Sequence, residues 1–229
     1  MDLMGFLSGE GICCPVPIVA KDGQALVQLH GKPAAVLSHL PGTSISEPTL
    51  RHCGLVGSML ANVHNASLNF SGGRSNSLTL KDWPNLLKQI GAEGDLVSPG
   101  ITADLEDESQ YLSGHWPEDL PQGVIHGDLF PDNVLFFDGK ISGVIDFYFS
   151  CRDFLVYDLS VCLNAWGFDV NGGFDRQRSE SLIRGYCSRR VLTSTEFEFL
   201  PILCRGSALR FLLTRLYDQI NAPVTMIGM

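Results

Sequence analysis

Residues 124–147 of the chain read VIHGDLFPDNVLFFDGKISGVIDF. Two apolar runs rich in β-forming residues flank the dipeptide Asp138-Gly139, and Asp-Gly is a strong signal for a two-residue hairpin turn. The sequence therefore predicts an antiparallel hairpin in which Phe137 pairs with Lys140. The polar residues at the open end of this hairpin are the candidates for chemistry.

The predicted pairing gathers oxygen-bearing side chains at one end of the hairpin. In that register Asn133 faces Val144, and Asp146 lies two residues beyond. Diagonal neighbours in such a ribbon are ~7–8 Å apart, so Asn133 and Asp146 can converge on one or two Mg²⁺ ions, which prefer oxygen ligands. Asp128 lies in the loop that enters the first strand. We therefore expect two carboxylates and an amide around one point.

The spacing of these residues is typical of phosphoryl transfer. His126, Asp128 and Asn133 fit the kinase catalytic-loop pattern H-x-D-x-x-x-x-N without gaps, and Asp146 supplies the later metal-binding aspartate. In that chemistry metal ions neutralise the triphosphate, and a carboxylate orients the attacking hydroxyl and accepts its proton. We predict Asp128 as the catalytic base, with Asn133 and Asp146 as Mg²⁺ ligands.

The neighbouring residues narrow this prediction. Gly127 stands where protein kinases have the Arg of H-R-D, Tyr148 stands where they have the Gly of D-F-G, and no A-P-E segment follows. These differences from protein kinases favour a small-molecule kinase without activation-loop control. His126 is expected to orient the loop, and Asp132 to be structural. The alternative is a hairpin whose polar ends only solvate a turn, against which the full pattern argues.

Composition excludes several other classes of protein. The 229 residues carry 16 Lys and Arg against 25 Asp and Glu, a net charge of −9, which disfavours nucleic-acid binding. The seven cysteines are odd in number and lack C-x-x-C spacing, so neither a zinc site nor a disulfide framework is expected. The N-terminus does not read as a signal peptide, and no apolar run approaches the ~18–20 residues of a membrane helix. We predict a soluble, cytoplasmic protein.

The order of the predicted elements indicates an α+β fold with a mainly helical large lobe. Pro41-Gly42 is a turn signal and the candidate boundary between residues 1–42 and 43–229. The predicted elements are a helix over 2–10, strands at Ala25–His30 and Lys32–Leu40, a helix after an N-cap at Ser46, a loop at Phe70–Thr79, short helices at 82–90 and 102–113, and a helix from Glu196 to Ile220 with a Thr193–Glu196 capping box.

Two of these helices have a predicted buried face. The helix after Ser46 can pack closely through one face, and His64 near its end is expected to be structural. The residues of this face fall at helical spacing: Leu50, Cys53, Gly57, Leu60 and Ala61. On the last helix the expected core residues are Leu200, Leu203, Leu212, Leu213 and Leu216.

Residues 126–133 (HGDLFPDN) with Ile145-Asp146-Phe147 resemble the aminoglycoside-phosphotransferase-like kinases, whose fold is protein-kinase-like. The run Gly143–Phe168 (GVIDFYFSCRDFLVYDLSVCLNAWGF) is more specifically similar to bacterial homoserine kinases of that fold. Residues 208–218 (ALRFLLTRLYD) strengthen the match, which extends from Gly11 to about Pro223.

The resemblance implies ATP-dependent phosphorylation of the homoserine hydroxyl, on the route to threonine, with ATP and Mg²⁺ as cofactors. It implies that Asp128 is the base and that Asn133 and Asp146 bind Mg²⁺. It also makes Ala35–Leu40 the hinge strand, whose backbone at Ser38, His39 and Leu40 meets adenine. Asp158 matches a family aspartate that we expect to be structural, capping the helix that begins there.

The family's N-terminal lobe is only partly matched. Its glycine-bearing phosphate loop, strand lysine and helix glutamate have no counterparts here, since Lys21 and Lys32 lie beside glycines in turn-like sequence. We therefore expect residues 1–42 to be a remnant of the nucleotide-binding lobe in an N-terminally truncated chain with little activity of its own.

Two further residues are candidates for substrate binding. Homoserine carries an ammonium and a carboxylate, for which Asp153 and Arg210 are the candidate partners. Alternatively, Arg210 pairs with Asp158 or extends to solvent. A kinase for another small amino alcohol or a sugar, and an inactive remnant, are the alternative functions. The sequence makes no prediction about the oligomeric state.

Overall fold

The computed structural model describes residues 1–169 and 171–222, which form an α+β structure dominated by helices. Within these residues the strands form three two-stranded antiparallel sheets, β1–β2, β3–β6 and β4–β5. The helices are α1 (Asp2–Gly9), α2 (Leu50–Ser67), α3 (Trp83–Ile90), α4 (Gly94–Val97), α5 (Ile101–His115), α6 (Leu155–Trp166), α7 (Arg176–Cys187) and α8 (Ser194–Asn221). The strands are β1 (Val27–Leu29), β2 (Lys32–Ala34), β3 (Gln122–Ile125), β4 (Val134–Phe137), β5 (Lys140–Val144) and β6 (Cys151–Phe154).

The two predicted N-terminal strands exist, but they are shorter than predicted. β1 and β2 pair around the turn at His30-Gly31. Both strands are largely exposed, so neither has a buried face that would stabilise a longer strand. Beyond Ala34 the chain leaves β2. Residues 36–38 pair instead with residues 16–18, through bonds from Ile18 N to Val36 O and from Ser38 N to Val16 O.

The N-cap of helix α2 lies three residues after Ser46, so the predicted N-cap was wrong. The N-cap is Thr49, whose hydroxyl accepts from His52 N at 3.3 Å while His52 Nδ1 accepts from Thr49 N at 3.3 Å. This reciprocal capping box satisfies two backbone N–H groups of the first turn, and it fixes Leu50 as the first helical residue.

Helices α2 and α7 are in close contact because glycines line their crossing. A Cβ at Gly57 would collide with the carbonyl oxygen of Leu182, and a Cβ at Gly185 would collide with the carbonyl oxygen of Gly54. The predicted close-packing face of α2 is confirmed at Gly57. This contact holds His64, on the same helix, beside Tyr186 of α7.

Gly57→Ala is expected to lower the free energy of unfolding by about 1–3 kcal/mol, because the added methyl forces the two helices apart. Gly114→Ala in α5 is the matched control: its Cβ meets nothing within 4 Å, so the gain in helix propensity should leave stability equal or higher. Urea unfolding of both variants measures the difference. Equal stability in the two variants would contradict the close packing of α2 on α7.

The β4–β5 hairpin confirms the predicted turn but corrects the register. Phe137 pairs with Lys140 as predicted, and then the pairing shifts by one residue, so that Val134 lies opposite Val144. The prediction that Asn133 faces Val144 was therefore wrong. Ile145 N donates instead to Asn133 O at 3.0 Å, which brings Asp146 one residue nearer to Asn133 along the ladder.

Helix α8 completes the core of the large lobe. Its capping box between Thr193 and Glu196 is confirmed, and its apolar side packs on α6 in one core cluster and on α3 and α5 in a second. Four of the five predicted core leucines are buried, whereas Leu212 is 43% exposed, because it lies on the outward side of the helix. Among the described helices, none is long and apolar enough to cross a membrane.

Candidate active site

The loop between β3 and β4 is tied to helix α6 by Asp158. This fully buried carboxylate accepts hydrogen bonds from His126 N at 2.7 Å and from Gly127 N at 2.8 Å. Helix α6 already begins at Leu155, so the expectation that Asp158 caps it was wrong. The carboxylate instead holds the backbone immediately before Asp128, and it fixes where that side chain emerges.

A buried polar chain continues from Asp158 across the core. Asp158 Oδ2 bonds to His64 Nε2 at 3.0 Å, and His64 Nδ1 bonds to Tyr186 Oη at 2.8 Å. Tyr186 then meets Arg190, which pairs with Glu196 at 2.8 Å. Burial alone raises the pKa of Asp158, but its hydrogen bonds, above all the one with His64, bring this pKa below its usual value. The carboxylate therefore stays ionised as an acceptor.

His126 orients the loop, as predicted, because both of its ring nitrogens are engaged. Nε2 donates to Ile145 O at 2.9 Å, and Nδ1 accepts from Asp128 N at 3.3 Å. Burial is the main cause that lowers the pKa of His126, so the imidazole is neutral at neutral pH. The ring lies against Phe147 at 4.8 Å between centroids, which joins the loop to the Asp146-Phe147 segment.

Asp128 is half-buried at the open end of the hairpin. Burial raises the pKa of this carboxyl to about 6, and the negative charges of Asp146 and Asp132 add to the rise. The positive charges of Arg210 and Arg215 oppose it. The carboxyl is therefore ionised at neutral pH but remains basic enough to take a proton, which suits a general base.

Asn133 is held so that its amide oxygen is available. Its Nδ2 donates to Asp128 O at 2.8 Å and lies 3.4 Å from Asp128 Oδ2, so the donor side of the amide is occupied. Asp146 has a left-handed backbone (φ 61°, ψ 65°), and its exposed carboxylate accepts from Tyr148 N at 3.3 Å. The structure thus presents one amide and one carboxylate oxygen at the same end of the hairpin.

These oxygen ligands suit Mg²⁺ better than a metal ion that takes all of its ligands from the protein. In the part of the chain that the structure describes, no group of three or more His, Cys, Asp or Glu side chains is placed to hold a metal ion. Mg²⁺ commonly binds through one or two protein groups, together with water and substrate phosphates. Asn133 and Asp146 offer such a set.

A cleft of about 1020 Å³ adjoins the site. Its lining includes Ser38, His39 and Leu40 together with Asp146 and Phe147. Ser38 already bonds to Val16 through both its backbone N–H and its hydroxyl. Within residues 1–169 and 171–222, the backbone N–H groups of His39 and Leu40 have no hydrogen-bond partner, so they are open to a ligand in the cleft.

Arg210 lies under the loop and not at the surface. It is 5% exposed, its Nη1 donates to Gly127 O at 3.1 Å, and its guanidinium lies over the ring of Phe211 at 4.0 Å. No carboxylate lies within 4 Å of it in the described part of the chain, so it neither pairs with Asp158 nor extends to solvent.

Asp153 is engaged by protein donors. Its Oδ2 accepts from Asn76 Nδ2 at 2.6 Å, and its Oδ1 accepts from Phe154 N at 2.7 Å. Asn76 and Arg210 line a small enclosed cavity, whereas Asp153 is not part of that lining. Burial raises the pKa of Asp153, since its hydrogen bonds only partly compensate.

Residues 1–192 match the model of the phosphotransferase enzyme family. The chain belongs to this family. The phosphotransferase is 49% identical over 223 residues to the homoserine kinase of Allorhizobium ampelinum, and 51% identical over 225 residues to that of Gluconacetobacter diazotrophicus. Each match covers 97% of the chain and 70% of the relative. These relatives and the family match show that the chain is an enzyme, a kinase-like phosphotransferase.

Solved structures confirm the predicted fold. The phosphotransferase superposes on the amicoumacin kinase hAmiN, in complex with AMP-PNP, Ca²⁺ and Ami, with a TM-score of 0.76 at 15% identity, covering 99% of this chain and 71% of that one. It superposes on a microcompartment-associated aminopropanol kinase with a TM-score of 0.68 at 22% identity, covering 95% and 75%. The helical lobe with small sheets is thus the protein-kinase-like fold of the aminoglycoside phosphotransferases.

Two residues near the phosphotransferase site were not predicted to take part in it. His64 was expected only to be structural, and its bond to Asp158 joins positions 94 residues apart, which no local pattern shows. Tyr157, which is buried and lines the small cavity with Arg210, sits in an apolar run where it is expected to be core. The adjacent Asp158 in a buried helix was the one available signal.

Proposed function

We propose that this phosphotransferase transfers the γ-phosphoryl group of ATP to the side-chain hydroxyl of L-homoserine, on the route to threonine. The observation that carries the proposal is the identity of 49–51% to two homoserine kinases over 97% of the chain. A further support is the local geometry, in which a basic carboxyl and two oxygen ligands share one end of a hairpin.

In this proposal Asp128 is the catalytic base. It orients the homoserine hydroxyl and accepts its proton as the oxygen forms a bond to the γ-phosphorus. The bond between that phosphorus and the β–γ bridging oxygen breaks, and ADP leaves. The raised pKa of Asp128 and the fixed loop backbone support this role, because a base must be both ionised and correctly placed.

Asn133 and Asp146 are the proposed ligands of Mg²⁺. Bound there, the ion supplies positive charge that offsets the charge of the triphosphate. The bond from Asn133 Nδ2 to the Asp128 carbonyl supports this assignment, because it turns the amide oxygen away from the loop.

The adenine is proposed to meet the backbone of Ser38, His39 and Leu40. Their place in the lining of the large cleft with Asp146 supports this assignment. Residues 1–42 then form the nucleotide side, and residues 43–229 form the catalytic and substrate lobe. We also propose a cytoplasmic enzyme, since none of its seven cysteines is in a disulfide.

Substrate choice tests the proposed function. ADP release is measured with ATP and Mg²⁺ against L-homoserine, 3-amino-1-propanol, choline and a sugar alcohol. We expect the highest kcat/KM with homoserine. A higher value with any of the other substrates would replace homoserine by that class of alcohol.

Removing the proposed ligands should change the requirement for metal. Asp146→Ala is expected to raise the Mg²⁺ concentration for half-maximal activity by about tenfold or more, and Asn133→Ala by less, because only Asp146 contributes a full charge. Asp132→Ala removes a nearby exposed carboxylate and serves as the matched control, with an unchanged requirement. If the Mg²⁺ titration of Asp146→Ala overlays that of the control, the metal assignment is wrong.

A further inference from the structure

A small cavity of about 10 Å³, with room for one water-sized atom, lies beneath the loop that carries Asp128. Its lining includes Gly127 from the loop, Arg210 from α8, Tyr157 from α6 and Asn76 from the segment between α2 and α3. It is distinct from the large cleft at Ser38–Leu40, although Arg74 lines both.

One buried hydroxyl in this cavity has no hydrogen-bond partner, and one buried cation has no carboxylate in direct contact. Tyr157 is 4% exposed, and its hydroxyl has no hydrogen-bond partner within the described residues. Arg210 is 5% exposed and has no carboxylate within 4 Å in the same part of the chain. A buried phenol without a partner and a buried cation without a counterion are both costly.

One ligand chemistry satisfies both groups. The guanidinium can only donate hydrogen bonds, and a phenol beside a cation donates best to an anion. An anionic oxygen in the cavity would accept from both. A neutral or cationic group in the cavity would place no anion in contact with Arg210.

The cavity is also next to the reacting end of the substrate. Arg210 donates to the carbonyl of Gly127, which immediately precedes Asp128 in the chain. A substrate whose hydroxyl meets Asp128 and whose anionic group lies only a few bonds away can therefore reach both places. Homoserine has this form, with its carboxylate four bonds from the hydroxyl oxygen.

We propose that Tyr157 and Arg210 together bind the α-carboxylate of the amino-acid substrate and select it over amino alcohols. This inference rests on the proposed function and deepens it. Asn76, which is bonded to Asp153, forms another part of the lining, and the substrate ammonium is assigned to this side, nearest Asp153.

The segment around Asn76 is anchored to the residues that follow Asp146. Arg74 donates to the carbonyls of Tyr148 and Ser150, and Ser75 forms a bridge with Arg152 of β6. These contacts fix the side of the cavity that Asn76 lines. Because the cavity has room for only about one water molecule, a carboxylate oxygen placed there meets Arg210 with little screening by solvent.

The test compares homoserine with 3-amino-1-propanol, which is the same molecule without its carboxylate. Tyr157→Phe removes only the hydroxyl and is expected to lower kcat/KM for homoserine about tenfold, while that for 3-amino-1-propanol changes less than about twofold. Arg210→Lys keeps the charge but loses the fork and its bond to the Gly127 carbonyl, so kcat/KM should fall for both substrates, and more for homoserine. An equal loss on both substrates would overturn the proposal.

Tyr186→Phe is the matched control, because it removes another buried hydroxyl, one that is bonded to His64 and Arg190. It should lower thermal stability and change both substrates by the same factor. Tyr157→Phe should leave the unliganded protein equally or more stable and should abolish most of the stabilisation by homoserine. A loss of stability without ligand would mean that the Tyr157 hydroxyl is structural, and would contradict the proposal.

Failure of the proposed function has a different result. If the unmodified protein neither binds nor phosphorylates homoserine in preference to its carboxylate-free analogue, the substrate assignment itself fails, whatever the Tyr157 variant does. If the unmodified protein prefers homoserine but Tyr157→Phe retains the full preference, only the role of Tyr157 fails.

Discussion

Replacing Asp128 by asparagine is expected to lower kcat by about 10²–10⁴-fold, because the variant keeps the size of the side chain but cannot accept the proton of the substrate hydroxyl. KM for ATP should change little, since the proposed adenine contacts lie at Ser38–Leu40, in a cleft that Asp128 does not line. Steady-state kinetics at saturating Mg²⁺ measure both parameters. Near-normal turnover would remove Asp128 from the reaction.

The same substitution should stabilise the fold. Burial raises the pKa of Asp128 to about 6 from an unfolded value of about 3.9. Above pH 6 the carboxyl is ionised in both states, and this charge destabilises the folded state, a cost that asparagine does not have. Allowing for solvent screening of a half-buried group, we expect a gain of about 1 kcal/mol at pH 8. The gain should fade as the pH falls through about 6 and vanish below about 4.

A matched control separates charge from catalysis. Asp132→Asn removes a neighbouring exposed carboxylate, and it should retain kcat within a few-fold and change stability much less than Asp128→Asn does. If both variants lost activity equally, the loop would require its summed charge, and Asp128 would have no special role as the base.

Asp158→Asn is expected to lower the free energy of unfolding by about 3 kcal/mol or more and to lower kcat with it. The carboxylate accepts from His126 N, Gly127 N and His64 Nε2, and an amide has only one oxygen for these three donors. At least one buried donor is left unpaired, and the backbone before Asp128 is no longer fixed. Urea unfolding and kinetics at one temperature measure the two losses.

The matched control for that variant is Asp169→Asn. Asp169 also accepts two backbone N–H groups, from Asn171 and Gly173, but it is exposed, so its loss should cost less than about 1 kcal/mol. Equal losses in the two variants would contradict the tie between α6 and the loop.

The pKa of Asp158 is lowered in the fold, so the contribution of this carboxylate to folding stability is complete above pH 4 and declines in more acidic solution.

The hairpin shows how far local sequence carries a prediction. The Asp138-Gly139 turn and the Phe137–Lys140 pair were predictable because turn geometry depends on adjacent residues. The shift of one residue further along was not, since it occurs where Ser142 bonds to the carbonyl of Pro41, a residue 101 positions away. Tertiary contacts decide where a strand tolerates an extra residue.

The start of α2 was mispredicted for a different reason. Ser46 and Thr49 are both plausible N-caps, and Ser46 is followed by Glu47 and Pro48, which suit a first helical turn. The observed box pairs Thr49 with a histidine, His52, and not with the Glu or Gln that marks the pattern in sequence.

In the site, the sequence motif predicted the proposed reacting residues but not their supports. Asp128, Asn133 and Asp146 lie within 19 residues, so their spacing alone suggests their chemistry, and the structure brings Asn133 against Asp128. Asp158 was identified without its true partners. Tyr157 gave no signal, because a tyrosine in an apolar helix is expected to be core until its hydroxyl is found without a partner.

Transfer of phosphate to homoserine itself is the most direct test of the proposed reaction. Because the sequence predicts a low rate, the protein is incubated at high concentration with ATP, Mg²⁺ and L-homoserine until product can accumulate, and the products are followed by phosphorus NMR, with Asp128→Asn in parallel. The expected result is a phosphomonoester of homoserine, formed in step with ADP by the unmodified protein and absent with the variant. Formation of that phosphomonoester by Asp128→Asn at the normal rate, or release of ADP without it, would contradict Asp128-dependent phosphorylation of homoserine.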